Sequence, residues 1–578
     1  MAWFNANPAL YQSELDALNQ DKYQYKIDEV ASSQGRLVIN VEYLIDGESH
    51  NLECHYPSAY PFFAIKVLAP TLPVGRHLDP FSGGVCLFDD EQNVWNPASD
   101  SLASIITEQL PKLLYAHAHP GEADDIEDNS GYQISGQMPY EIPSVIFVDD
   151  WLQPEEIKHG AMTIRLQNGY QSNNVVNGFV KDIQYKGSNI TDETIPFEDI
   201  YSLKQSSKWI KLDAPPASIK QNEVLDEAIK ILPELKTPHY SKYGLEIIGL
   251  IFPEESEKHE IIYNWIFVVR RKPEKAKKRV KKKLPLISLV RSDRLTIENI
   301  SKRVPRLQLL RNKNVTIFGV GALGSHIIWQ LVRAGVESIT IIDHDIVQSG
   351  NIPRWLLGFP AIGHSKVHVI KNFLKTNFPN VKCNPYHHRV GSQQIVVDGD
   401  IVDGDIVDED DFIKSIINKS DIVVDAVAEK NISLYLSTRC KELDTSYIWA
   451  TGTQGAWGGI VGRVVPNVTK GCWTCFSYDN ADKKFKSPSA EEGSNIQPVG
   501  CFHPTFTGAG FDLDHVSLMA TRLTISTLLQ GEVNSYKDFN WDFAVLNLFD
   551  EVTGVPIEPR WEPHTLNISD KHVSHEKK

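Results

Sequence analysis

Gly319, Gly321 and Gly324 form a G-x-G-x-x-G turn directly behind the apolar run 315–318. Leu323, Ile327, Ile328, Leu331 and Val332 then recur at helical spacing. Such a turn lets the backbone approach a polyphosphate, whose charge rests on the N-terminus of the following helix. A second strand-like run, 338–342, ends in Asp343-His344-Asp345, which puts an acid about where a nucleotide ribose binds. By itself the turn serves NAD, ATP or packing alone. The residues after it choose among these. Ser349, Asn351, Arg354 and Lys366 bring two cations to meet a triphosphate, and Asp425, closing the run 421–425, offers a carboxylate to Mg2+. A redox site needs one acid for the ribose and few cations, whereas this set suits transfer of a nucleotidyl group.

Thiols supply a second chemistry. Cys501 lies in Gly500-Cys501-Phe502-His503-Pro504, behind the polar segment 487–495, and near a helix starting past Asp514 a thiolate would gain from the helix dipole. Cys86 follows the Gly83-Gly84 turn, with His77 and Asp79 before it and Trp95-Asn96-Pro97 after it. For either cysteine the alternative is an inert core thiol. Cys472 and Cys475 form a single C-x-x-C. Tetrahedral zinc needs four ligands, and with no second C-x-x-C, zinc here would use Cys472, Cys475 and a histidine. A redox pair is the other use of that motif.

The pattern Gly319/Gly321/Gly324, Asp343/Asp345, Asn351/Arg354, Lys366 and Asp425 resembles the adenylation domain of ubiquitin-activating enzymes and of their bacterial relatives in thiamine and molybdopterin synthesis. The resemblance implies ATP and Mg2+ as cofactors, with the glycines, Asp345 and Asn351 in the nucleotide site. It implies Asp343 on the ribose, Arg354 and Lys366 on the phosphates, and Asp425 on magnesium, with Asn431 completing the family's D-x-x-x-x-x-N. It further implies a homodimer and a γ-phosphate arginine from among Arg294, Arg303 and Arg306. In that family C-x-x-C pairs hold structural zinc and the acceptor thiol sits on a mobile loop, which points to Cys501.

Residues 1–120 resemble the ubiquitin-conjugating fold, which orders a helix, a four-strand meander, an H-P-N segment, a cysteine behind a glycine turn, W-x-P and a helix. His77, Cys86, Trp95 and Pro97 match; Asp79 stands where the family has asparagine and, when ionised, cannot donate a hydrogen bond. A conjugating-type domain ahead of an activating-type domain resembles the bacterial fusions beside cyclic-oligonucleotide synthases in antiphage (CBASS) defence. The implied activity is a relay: the synthase's C-terminal carboxylate passes to AMP, to Cys501, to Cys86 and to a target amine. A ubiquitin-like protein as substrate is the runner-up, and a catalytically silent nucleotide-binding scaffold is the alternative of a different class.

The elements that must position these groups fall into three domains, as 578 residues require. The fold class is multidomain α/β: an α+β conjugating-like domain over 1–137, a central α+β linker or docking module over 138–285, a Rossmann-like adenylation domain over 286–570, and a disordered tail, 571–578. A helix over 8–20, strands near 37–41, 52–55 and 64–68, and a helix over 102–114 frame Cys86. The central module carries strand-like pieces at 144–148, 162–166, 246–250 and 265–269 and a helix at 224–232, without a chemical motif. The acidic stretch 121–137 and the basic run from Arg270 to Lys283 are expected as solvated linkers. The acidic near-repeat over 396–411 is expected as an exposed ribbon, with a loose calcium loop as its alternative. A net charge of −16 argues against nucleic-acid binding. No 18-residue apolar span or signal-like start is present, and seven cysteines form no dense framework, so a cytoplasmic, reduced, non-membrane protein is expected.

Overall fold

A computed structural model describes residues 2–74, 77–79, 82–87, 95–119, 144–148, 157–167, 175–185, 188–192, 200–257, 260–273, 287–295, 300–392, 396–397, 400–401, 408–496 and 505–572. The chain divides into two compact units, Met1–Thr296 and Ile297–Lys578.

The first unit opens with the helix Pro8–Gln20, which has proline at its first position and the Asn7 side chain accepting from the Leu10 N–H. An antiparallel meander follows in the order Gln24–Ile27, Val38–Ile45, Glu48–His55, Lys66–Leu68. Leu52 and Cys54 alternate with more exposed neighbours, as a sheet with one buried face requires. The carboxylate of Glu14, only 3% exposed, accepts from Tyr56 Oη at 2.9 Å and from the Leu102 N–H at 3.1 Å, binding the first helix to the meander and to the later helices. The helix expected over 102–114 is two, Leu102–Glu108 and Leu110–Ala118. Pro111 lies in the first turn of the second, where its missing N–H costs nothing but would interrupt a continuous helix.

The central segment is a sheet that closes on itself. Its order runs Val145–Val148, Ile287–Arg294, Glu260–Arg271, Leu245–Glu257, Leu203–Lys211, His159–Leu166, Asn177–Tyr185, and Val145–Val148 pairs again with Asn177–Tyr185. Ser188–Asp192 adds to Asn177–Tyr185 outside the ring. Side-chain alternation fills both faces: Ile247, Ile251, Trp265, Phe267 and Val269 pack inward with Val180 and Met162. Ile248, Leu250, Phe252, Ile266 and Val268 face outward beneath the helix Gln221–Ile231, through its Val224, Leu225 and Ala228. The α+β module is therefore a barrel with one covering helix. Ile287–Arg294 belongs to its ring, beyond the boundary expected at 285. The start of the basic run is likewise no linker. Arg270 is buried, donating from Nε to Glu246 at 2.5 Å and from its guanidinium to the Leu235 carbonyl at 2.7 Å, and Arg271 bonds Ser288. The run from 274 to 283 lies outside the described residues, as does the acidic stretch 121–137.

The second unit is built on a ten-stranded sheet. Its parallel centre runs Lys382–Tyr386, Ser338–Ile342, Asn314–Phe318, Ile422–Asp425, Ser446–Gly452. Antiparallel Gly458–Val464, Phe543–Phe549 and Pro556–His564 extend one side. Apolar cores cover both faces, so Ile422–Asp425 is buried throughout. Of the acidic near-repeat, the described part pairs as 396–397 with 400–401, and Asp408 caps the helix Glu409–Ile417. Residues 402–407 lie outside the described set, and with them the calcium alternative.

Candidate functional site

Chain order reverses around Asn314–Phe318, which has Ser338–Ile342 on one side and Ile422–Asp425 on the other. A crevice at the carboxyl ends of the strands opens at such a switch point. The three glycines there do different work. Gly319 has φ +84°, and a Cβ on it would come within 2.8 Å of the Ala426 carbonyl. A Cβ on Gly324 would lie 1.8 Å from the Gly319 carbonyl oxygen. Both are therefore packing glycines. Gly321 faces open space and lines the crevice.

Asp343 organises this loop: one oxygen accepts from the Val320 N–H at 2.6 Å, the other from the Asp345 N–H at 2.7 Å. Lys366 begins the helix Lys366–Asn377 and is 6% exposed, with Nζ 2.8 Å from an Asp345 oxygen. Burial pushes the Asp345 carboxyl up. The charge and hydrogen bond of Lys366, with His344 and His387 in support, more than reverse this and hold it below the ordinary carboxylate value. Gly319, Gly321, Asp343, Asp345, Lys366 and Glu429 share the crevice lining.

Asn351 and Arg354 sit on a turn that the Trp355 indole pins to the glycine loop, donating to the Val320 carbonyl at 2.8 Å. The Asn351 side chain is spent within that turn, accepting from the Gln348 N–H. Arg354 reaches Thr505 Oγ1 at 2.6 Å, and burial lowers its pKa from the ordinary guanidinium value. Asp425 is 1% exposed, with one oxygen accepting from Tyr447 Oη at 2.7 Å and the other from the Val427 N–H at 2.9 Å. Burial, only partly offset by Ser433, Tyr447 and Val427, raises its pKa. Of the three candidate arginines, Arg294 lies in the barrel strand Ile287–Arg294 and donates to the Tyr263 carbonyl, whereas Arg303 and Arg306 are exposed in the second unit.

Cys86 is half-buried behind its glycine turn, and its N–H donates to the His77 carbonyl at 2.8 Å. His77 is buried, and buried Asp79 accepts from Ser82 Oγ. Cys54 and Cys440, by contrast, are core thiols that burial pushes well above the ordinary value. Cys501 and His503 lie outside the described residues; Asn495–Ile496 paired with Thr505–Phe506 brackets the stretch that carries them.

The C-x-x-C has a partner that sequence proximity could not reveal. Nδ1 of His572, 100 residues beyond Cys472, lies 3.3 Å from Sγ of both Cys472 and Cys475, and the two sulfurs are 3.9 Å apart. Two thiolates on one tetrahedral zinc, each at about 2.3 Å, would stand roughly 3.8 Å apart, so these donors fit the ion. The hydrogen bond with Cys472 holds the Cys475 thiol below its ordinary value. Lys571 and His572, expected in a disordered tail, are thus packed against the domain, with Lys571 Nζ 2.6 Å from Asp482.

The description "ThiF family" matches residues 292–548. The C-terminal half carries a ThiF-family adenylation domain. Two relatives match part of the chain. One is "Adenylyltransferase and sulfurtransferase UBA4" of Candida glabrata, 29% identical over 183 residues, 32% of this chain and 37% of that protein. The other is the "ATP-dependent ubiquitin transferase-like protein Cap2" of Enterobacter hormaechei, 22% identical over 210 residues, 36% of this chain and 31% of that protein. A protein of Sinorhizobium fredii, y4oA, is similar along nearly the whole length: 28% identical over 595 residues, 98% of this chain and 96% of that one. Among the described residues no helix is long and apolar enough to cross a membrane.

Proposed function

We propose that the chain activates the C-terminal carboxylate of a protein or peptide by adenylation and passes it through two cysteines to an amine. The observation that carries this is the open glycine loop with buried Lys366 at its mouth, within a ThiF-family domain. A carboxylate is a poor electrophile. Its oxygen attacks the α-phosphorus of ATP, pyrophosphate leaves, and the acyl-adenylate gains a good leaving group. Lys366 and Arg354 would offset phosphate charge in that step, and Mg2+, when bound, would supply further electrostatic stabilisation. The Cys501 thiolate then attacks the acyl carbon and expels AMP; Cys86 takes the acyl group by thioester exchange; the target amine displaces Cys86. The helix, four-strand meander and paired helices around half-buried Cys86 support a conjugating-type role for the N-terminal domain, with the barrel as a docking module.

The partial likeness to a ubiquitin transferase-like protein supports conjugation of a protein substrate. The order of a conjugating-like domain before an activating-like one, as in the bacterial antiphage fusions it resembles, favours a cyclic-oligonucleotide synthase as that substrate and antiviral defence as the setting. The test mixes the enzyme, Mg-ATP and that synthase, followed by intact-mass and non-reducing gel analysis. Cys501→Ala should keep substrate-dependent pyrophosphate exchange and lose every thioester; Cys86→Ala should keep the first thioester and lose the conjugate. Normal conjugation by Cys501→Ala would refute the two-thiol relay. An adduct formed only with a small ubiquitin-like protein would replace the substrate, and ATP binding without pyrophosphate release would leave a scaffold.

A further inference from the structure

We propose that Thr505 is a positioning residue that competes with the phosphates of the nucleotide for Arg354, so that triphosphate binding and anchoring of the segment after Cys501 oppose each other. This rests on the adenylation reading above. Arg354 Nη2 donates to Thr505 Oγ1 at 2.6 Å across 151 residues of sequence. The backbone beneath that arginine is fixed. Its N–H donates to the Asn351 carbonyl at 3.0 Å, and the neighbouring Trp355 indole holds the Val320 carbonyl of the glycine loop at 2.8 Å. What can change partner is the side chain, a planar fork of donors on a flexible stem.

The strand pair that contains Thr505 has little of its own to hold it. Asn495 faces Phe506 and Ile496 faces Thr505, and so short a two-stranded ladder is marginal in water. Ile496 is 49% exposed, so burial adds little there. Ties from outside matter more. Gly508 bridges to Gly455, and Gly510, where the helix Gly510–Leu528 begins, lies against the arginine's own turn. A Cβ on Gly510 would stand 2.9 Å from the Pro353 carbonyl oxygen and 3.1 Å from Arg354 Cα. That contact is backbone against backbone and keeps the segment beside the turn. The bond from Arg354 to Thr505 is the exchangeable one.

A hydroxyl oxygen satisfies one donor of a guanidinium and none of its charge. A phosphate accepts two parallel bonds and offsets the charge as well. Burial, which already lowers the Arg354 pKa, sharpens that preference. Triphosphate in the crevice draws Arg354 off Thr505 and loosens the strand pair. Linkage makes the effect reciprocal: the factor by which the Thr505 bond weakens nucleotide binding is the factor by which nucleotide weakens that bond. Departure of pyrophosphate removes two of the three phosphates, and Arg354 returns to Thr505. Cys501 lies four residues before Thr505 in sequence, so the chain beside the thiol is anchored once the acyl-adenylate exists and not before. One arginine thereby orders adenylation ahead of thioester formation.

The experiment uses the full chain with Mg2+ and the α,β-methylene analogue of ATP, which cannot release pyrophosphate. Calorimetry gives its affinity, and hydrogen–deuterium exchange follows the Thr507 amide, bonded to the Ser494 carbonyl at 2.9 Å. In wild type the analogue should speed that exchange, and saturating AMP should not. Thr505→Val keeps the shape and loses the hydroxyl. It should bind the analogue about three- to tenfold more tightly, the worth of one partly buried hydrogen bond, and exchange fast with or without nucleotide. Thr505→Ser should behave as wild type in both readouts, which separates the hydroxyl from a packing effect. The wild-type exchange decides even where the valine variant fails to fold. The proposal falls if the analogue slows that exchange or leaves it unchanged, or if folded Thr505→Val binds it no more tightly. Analogue binding without the exchange response overturns this proposal alone; no analogue binding by wild type overturns the adenylation reading with it.

Discussion

Lys366→Met separates what this lysine does for the fold from what it does for the nucleotide. Methionine keeps the unbranched stem in its buried place and removes only the charge. The ion pair to Asp345 is short, 2.8 Å, but the carboxylate side is 50% exposed, so solvent screening leaves it about 0–1 kcal/mol of stability. A charge-assisted bond from the same ammonium to a phosphate oxygen is worth about 1.5–3 kcal/mol, or roughly ten- to a hundredfold in affinity. Urea denaturation at pH 7 should therefore show a loss below about 1 kcal/mol, while calorimetry shows ATP affinity falling at least tenfold. The pH dependence carries its own sign. Because the Asp345 carboxyl lies below its ordinary value, the pair's stabilisation is present above about pH 4 and is lost as pH falls through the lowered value. In the variant, burial acts on Asp345 without its main opponent, and the small deficit should disappear below about pH 4. An affinity change under about threefold, or a stability loss of several kcal/mol at pH 7, would refute the assignment.

Two further outcomes follow from the described contacts. Protein from zinc-replete medium should carry one equivalent by elemental analysis, lost in Cys475→Ser and in His572→Ala, and a chelator should lower its melting temperature; a metal-free protein with unchanged melting would refute the site. Arg270→Met should destabilise the barrel by about 3–5 kcal/mol because it leaves Glu246 buried without its cation, and Glu246→Gln in the same chain should recover much of that.

What could be read from the chain alone was what is local. The glycine turn, the strand before it and the helix after it share one short stretch, so hydrophobic period and turn chemistry agree there. Lys366 was legible because its helix starts with it. Partners brought in from afar were not. His572 stands 100 residues from Cys472, and nothing in the intervening pattern joins them. Arg270 looked like the head of a basic linker because the glutamate that buries it sits on the neighbouring strand, 24 residues away. Asp425 was placed correctly at the end of its strand, but Tyr447, reached only through sheet pairing, determines that its carboxylate turns into the core.

The doubly paired strand Val145–Val148 has a consequence for how this protein is made. It is the first strand of its module to leave the ribosome, yet one of its neighbours, Ile287–Arg294, is the last. Until that strand emerges the ring stays open, and its apolar lining, Trp265 and Phe267 included, has no complete enclosure. Pairing of the sequence extremes is slow to form, and unclosed edges invite partners from other chains. Truncation between residues 273 and 294 should thus yield aggregation rather than a shortened soluble module, and expression trials of the N-terminal unit should end beyond Arg294.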